Sequence, residues 1–208
     1  MNIATEVFDL LDKHVEECLQ DDAPRNVLFG MYWDWWQALK ERVGTSSGFT
    51  GLSEYLFFRY ILKSIERRTG TTFKAEPYTN DTSIFRSQNF LLTHDMDIAQ
   101  FVSGVRPQRT DIALLSQSGN GDYRLLAAFE LKVYVSDRNI IEDLFKRLGD
   151  LGKHTESFLF SIFFSQRPQY ANEMCHFCET YPGRAFLISP IEHKYGIDIK
   201  KAIDIIPL

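Results

Sequence analysis

Residues 157–165, Ser-Phe-Leu-Phe-Ser-Ile-Phe-Phe-Ser, carry no charge and are nearly all apolar. The run has the length of a strand, and its apolar side chains fall on both faces, which predicts a strand buried on both sides. Its most apolar part, Phe158 to Phe164, is too short to cross a bilayer. Upstream, Arg109–Ser116 and Tyr123–Val135 are rich in β-formers and flank the turn Gly119-Asn120-Gly121, which predicts two joined strands. Ser136-Asp137 then offers an N-cap. Ile140, Ile141, Leu144, Phe145 and Leu148 make the apolar face of a helix expected to end near Gly149. Pro168–Thr180 reads as a helix and Ala185–Ser189 as a further strand. The alternation of helices and strands predicts an α/β layered domain, a central mixed β-sheet flanked by helices.

The N-terminal part differs. Ile3–Leu19 has apolar residues at helical spacing (Ile3, Val7, Leu10, Leu11, Val15, Leu19) and is broken at Asp21-Asp22-Ala23-Pro24. Tyr32–Val43, with Trp33, Trp35, Trp36 and Leu39, predicts a second helix, followed by a loop over Thr45–Gly48. Residues 1–48 are therefore expected to be an added helical region packed on a core domain of residues 49–208. Leu52–Thr69 predicts a helix closed by Gly70, with Arg59, Lys63, Glu66 and Arg67 on one stripe and Phe58, Ile61 and Ile65 opposite. Glu54 falls on the apolar side, and an acid facing a core needs a partner. Residues 72–107 carry weaker signals. Phe73–Glu76 and Asp97–Val102 read as short strands, and polar Asn80–His94 as an inserted, substrate-facing region.

A chain of 208 residues, 44% hydrophobic and with 17 Phe, can bury a substantial aromatic core. The net charge of -5 counts against a broadly basic nucleic-acid binder, although a local patch matters more than the sum. Three cysteines form no disulfide framework, and no signal peptide is visible, so a cytoplasmic, reducing setting is expected, without membrane partners.

The chemistry concentrates on the paired strands. Side chains alternate along a strand, so Ala128, Glu130, Lys132 and Tyr134 share one face while Phe129, Leu131, Val133 and Val135 share an apolar one. Arg109, Asp111 and Ala113 separate likewise from Thr110, Ile112 and Leu114. Pairing of the strands would bring Asp111 and Glu130 to one site, with Lys132 beside them. Carboxylates bind hard cations such as Mg²⁺. A bound cation acidifies water and stabilises charge on a phosphoryl group, and an adjacent ammonium meets the developing negative charge.

Asp111 followed by Glu130-Leu131-Lys132 resembles the signature of the PD-(D/E)XK, or restriction-endonuclease-like, nuclease superfamily, over about Gly51 to Ser189. The resemblance implies a core of helix, three-stranded meander, helix and strand. It implies Asp111 and Glu130 as ligands to Mg²⁺ or Mn²⁺, the Leu131 carbonyl as a further ligand, and Lys132 as the catalytic lysine. The family's proline before the aspartate is Thr110 here. Many such nucleases carry a glutamate on the preceding helix. Glu54 fits that place as a metal ligand, or else pairs with an arginine such as Arg109. Lys146 and Arg147, on the following helix, are candidate phosphate contacts or a solvated face, and Arg109 is a further candidate substrate contact. The implied activity is metal-dependent phosphodiester hydrolysis, as a DNA endonuclease of restriction or defence type, with DNA favoured over RNA. Duplex cutting from one site per chain would call for a homodimer.

Other readings stand beside this one. A non-catalytic nucleic-acid- or protein-binding module could keep the same fold. Cys175-His176-Phe177-Cys178 has the spacing of a zinc half-site, or is a packed reduced pair in a helix. His94, Asp95 and Asp97 could form a second acidic cluster or simple loop polarity. The three tryptophans could stack on bases or pack a helix to the core.

Overall fold

The computed structural model describes residues 3–20, 27–43, 50–77, 83–119, 121–133, 135, 137–164 and 171–208. Its seven strands lie side by side in the order in which they occur along the chain. β1 (Lys74–Pro77), β2 (Ser83–Arg86), β3 (Phe90–Asp97), β4 (Arg109–Gln117) and β5 (Tyr123–Lys132) form an antiparallel meander. β6 (Phe158–Phe163) and β7 (Ala185–Ile188) continue the sheet in parallel to β5. Parallel neighbours need a crossover. Two helices, α4 (Arg138–His154) and α5 (Ala171–Thr180), provide them.

Burial divides the molecule into two apolar layers. α1 (Ile3–Cys18), α2 (Val27–Val43), α3 (Thr50–Thr69) and the short α6 (Ile199–Asp204) share one cluster with Phe129, Leu131, Phe160 and Ile162. α4 and α5 share the other with Ala128, Leu159 and Phe163. β6 therefore contributes apolar side chains to both layers, as its sequence predicts. This is an α/β protein with a mixed sheet flanked by helices. Trp33, Trp35 and Trp36 pack against the first layer, in a helix-to-core role. No helix among the described residues is long and apolar enough to cross a membrane.

The charged stripe of α3 binds α1. Arg59 pairs with Asp12, and Arg67 donates to Glu16 at 2.7 Å and to the Leu19 carbonyl at 2.8 Å. With α1 and α2 on its outer sides and the sheet beneath, α3 buries Leu56, Phe57, Tyr60 and Leu62 as well as Phe58, Ile61 and Ile65.

Several boundaries differ from the sequence expectations. Residues 83–94 are not an insertion but belong to β2 and β3, and β3 is an interior strand between β2 and β4. Polar residues in the turn Ser87–Asn89, and His94, Asp95 and Asp97 at the end of β3, hide the four-residue β2 and the eight-residue β3. Asp97–Val102 is not a strand. Asp97 instead caps a 3₁₀ turn over Ile98–Gln100, its carboxylate accepting from the Ala99 N–H at 3.0 Å. α2 begins at Val27, five residues before Tyr32. β5 stops at Lys132, and Val135 packs with the α4 layer, not with Phe129, Leu131 and Val133.

α4 starts at its Asp137 cap but runs past Gly149 to His154. Its glycines serve close packing. A Cβ at Gly152 would lie 2.8 Å from both Leu159 Cδ1 and Tyr181 Cε1, while the Tyr181 hydroxyl donates to the Gly149 carbonyl at 3.0 Å. The expected break at Asp21–Pro24, the loop at Thr45–Gly48, the turn residue Asn120, the side chain of Tyr134 and the positions Ser136 and Pro168 lie outside the described residues.

Candidate active site

β4 begins, and β5 ends, at the same end of the sheet. Ile112 faces Phe129 across the pair, so Asp111 and Glu130 come next, side by side. A single extra residue on β5, Leu126, shifts the register between Leu114 and Leu115 and sets the phase of everything beyond it. Ala113 and Ala128 then face the α4 layer. Alternation carries Asp111, Glu130 and Lys132 to that same side.

The local contacts join the four motif positions. Asp111 Oδ2 accepts from the Leu131 N–H at 2.7 Å. Lys132 Nζ donates to the Leu131 carbonyl at 2.9 Å and lies 3.7 Å from Asp111 Oδ2. The ammonium thus sits against two of the oxygens expected to ligate a cation.

Glu130 is the most demanding group of the site. Its side chain is 1% exposed, and Arg147 Nη2 from α4 approaches Oε2 to 2.6 Å. That contact is an ion pair, and the Asp111 backbone N–H also favours the charged carboxylate, although neither oxygen meets strict hydrogen-bond geometry among the described residues. Burial, and then the neighbouring Asp111 charge, push the Glu130 carboxyl up to about 8, against the opposing pull of Arg147, Lys132 and the Asp111 backbone N–H. Burial also raises Asp111 above the usual carboxylate range, although Lys132 and the Leu131 N–H favour its charged form. Glu54 adds to the rise and so lies within electrostatic reach of Asp111.

Glu54 does not complete a cluster of three carboxylates. It belongs to α3, on the other face of the sheet, and its Oε2 lies 3.7 Å from His94 Nε2. The basic group beside it is therefore this histidine, at a distance longer than a hydrogen bond, and not Arg109. Arg109 instead grips Asp95, with Nε at 2.7 Å and Nη2 at 2.5 Å from the carboxylate. Asp95 is held in the left-handed region at φ 48°. His94, Asp95 and Asp97 have separate partners and form no second acidic cluster. Of the proposed substrate contacts, Arg147 reaches the site, while Lys146 is exposed on α4 next to it.

Two polar residues of this region gave no functional signal in the sequence reading. Ser161 pairs with Glu130 in the β5–β6 register, is 3% exposed, and its hydroxyl has no hydrogen-bond partner among the described residues. Thr110, just before Asp111, is also buried, and its hydroxyl has no hydrogen-bond partner among the described residues. The readable sign for Ser161 was a hydroxyl inside an apolar strand.

The donor set suits a hard cation. Among the described residues no group of three or more His, Cys, Asp and Glu side chains is placed to hold a metal ion. Mg²⁺, however, commonly takes only one or two carboxylates and keeps several waters. A buried carboxylate is costly unless a cation answers it or it takes up a proton; Arg147 is the cation beside Glu130 here, and a metal ion would compete with it and with the proton. Asp111, Glu130 and the Leu131 carbonyl form such a set. The cysteines do not. Burial holds the Cys178 thiol up to about 12, and Cys175 Sγ lies 3.7 Å from His193 Nε2.

No family model matches the chain, and neither the curated proteins nor the solved structures contain a significant match to it.

Proposed function

We propose that the protein is a divalent-metal-dependent nuclease of the PD-(D/E)XK, restriction-endonuclease-like kind, acting on DNA as an endonuclease. The observation that carries this reading is the juxtaposition of two carboxylates, Glu130, which is buried, and Asp111, with a lysine ammonium at one end of the sheet. The succession α3, meander β3–β5, α4 and β6 supports it further, because it matches the order expected of that superfamily.

In this reading Asp111, Glu130 and the Leu131 carbonyl hold Mg²⁺ or Mn²⁺. The ion, when bound, supplies an acidified water and a Lewis acid for the phosphoryl group. Lys132 turns from the Leu131 carbonyl to the phosphate and meets the negative charge that develops on its oxygens. Arg147 and Lys146 offer positive charge to the backbone of the nucleic acid. Arg109 contributes only if its pair with Asp95 opens.

The test is a cleavage screen with Mg²⁺ or Mn²⁺ over supercoiled and linear duplex DNA, single-stranded DNA and RNA, with binding followed in parallel. Metal-dependent cleavage of DNA is the expected result. Metal-independent binding with no cleavage of any substrate would favour a non-catalytic module with the same architecture.

A further inference from the structure

Ser161 stands out because nothing around it explains a hydroxyl. β6 is otherwise Phe158, Leu159, Phe160, Ile162 and Phe163, and all but Phe158 are buried. Leu159 and Phe163, which share its face, pack in the α4 layer. Burying a hydroxyl without a hydrogen bond opposes folding, and alanine would fill the position without that cost. The strand beside it presents, in direct register, the carboxylate of Glu130, which also has no hydrogen bond of strict geometry among the described residues. Neighbouring strands lie about 4.8 Å apart, so the two groups face each other at close range on one surface. Serine has a donor, and a carboxylate has more acceptor positions than the Arg147 contact and the Asp111 N–H occupy at Glu130.

We propose that Ser161 is a positioning residue for Glu130: its hydroxyl donates to the carboxylate when that group turns to hold a cation, and fixes the orientation in which it binds. This rests on the metal-site reading of Asp111 and Glu130. Donors behind a ligating carboxylate set its direction and basicity, and their loss weakens metal binding by about 10–100-fold. In the metal-free protein the hydroxyl has no hydrogen-bond partner among the described residues, so its removal should cost that state little.

The experiment is Mn²⁺ titration of the full-length protein followed by electron paramagnetic resonance, with thermal unfolding of the metal-free protein alongside. Ser161→Ala, Ser161→Thr and Ser161→Val are compared with wild type. Thr and Val have nearly the same shape and differ in the hydroxyl, so any cost of the added methyl cancels between them. Ser161→Ala and Ser161→Val should lose about tenfold or more in Mn²⁺ affinity. Ser161→Thr should stay within a few-fold of wild type, and the metal-free Ala variant should unfold no earlier than wild type. Equal Mn²⁺ affinity for Ser161→Thr and Ser161→Val, or wild-type affinity for Ser161→Ala, overturns the role of the hydroxyl. A wild-type protein that binds no Mn²⁺ instead overturns the metal-site reading, and the proposal with it.

Discussion

Arg147 brings its guanidinium to 2.6 Å from the buried carboxylate of Glu130, across the gap between α4 and β5. Lys132 holds the Leu131 carbonyl at 2.9 Å in the same neighbourhood. Two side-chain cations therefore sit against the oxygens that would ligate a metal, and binding a divalent ion there would mean displacing them. The displaced cations are then available to phosphate oxygens.

Arg147 should accordingly act in opposite directions on the two ligands. Arg147→Met removes a competitor for Glu130 and should raise Mn²⁺ affinity at pH 8.5 by up to about tenfold, the worth of one charge-assisted contact. The same change should weaken binding of duplex DNA and flatten its salt dependence. Calorimetry for the metal and a salt series for the DNA check both signs. Parallel losses in the two affinities would mean that Arg147 only supports the fold.

Glu130 also sets a pH dependence. Its carboxyl titrates near 8 in the folded protein and near the ordinary 4.5 in the unfolded chain. Between these values the folded state holds the extra proton. Stability of the metal-free protein should therefore fall as pH rises through this window and level off above it. Glu130→Gln cannot ionise, so its stability should be flatter over the window and higher than wild type at pH 9. Denaturant unfolding across pH 5–9 measures this. Metal binding at pH 7 should release a proton, and the release should vanish above pH 9.

Glu54 is expected to matter less than the two sheet carboxylates. Beside His94 on the opposite face, it acts on Asp111 through charge. Glu54→Gln should lower Mn²⁺ affinity by less than about tenfold, whereas Asp111→Asn and Glu130→Gln should each abolish measurable binding. Equal losses in all three variants would instead make Glu54 a full ligand.

The packing of α4 makes a prediction that is independent of function. Gly152→Ala places a methyl against Leu159 and Tyr181 and should destabilise the protein by about 1–3 kcal/mol. Gly149→Ala meets only the Tyr181 hydroxyl, at 3.4 Å, and should cost less. Thermal or denaturant unfolding orders the two.

The contrast between these glycines shows where sequence reading succeeds and where it stops. Periodicity sufficed for α3, β4, β5 and β6, whose apolar positions are long and regular, and the alternation on β4 and β5 was enough to put Asp111 and Glu130 together. Gly149 carries the usual mark of a helix end, but its role depends on Tyr181, a contact 32 residues away. β2 and β3 escaped notice because their pairing, rather than their composition, makes them strands. Glu54 was read as an acid facing the core, but its neighbour His94 follows from the placement of α3 against β3, which the sequence does not show. Ser161 acquires meaning only from its register with Glu130.

The most direct test of the account is conversion of supercoiled plasmid to nicked or linear DNA in 5–10 mM Mg²⁺ or Mn²⁺, with the order-of-magnitude concentration chosen to saturate a two-carboxylate site. Wild type, Glu130→Ala and Lys132→Ala are compared. The account predicts metal-dependent cleavage by wild type, none by Glu130→Ala, and a rate at least about 100-fold lower for Lys132→Ala with Mn²⁺ binding retained. Cleavage at the wild-type rate by both variants would contradict it.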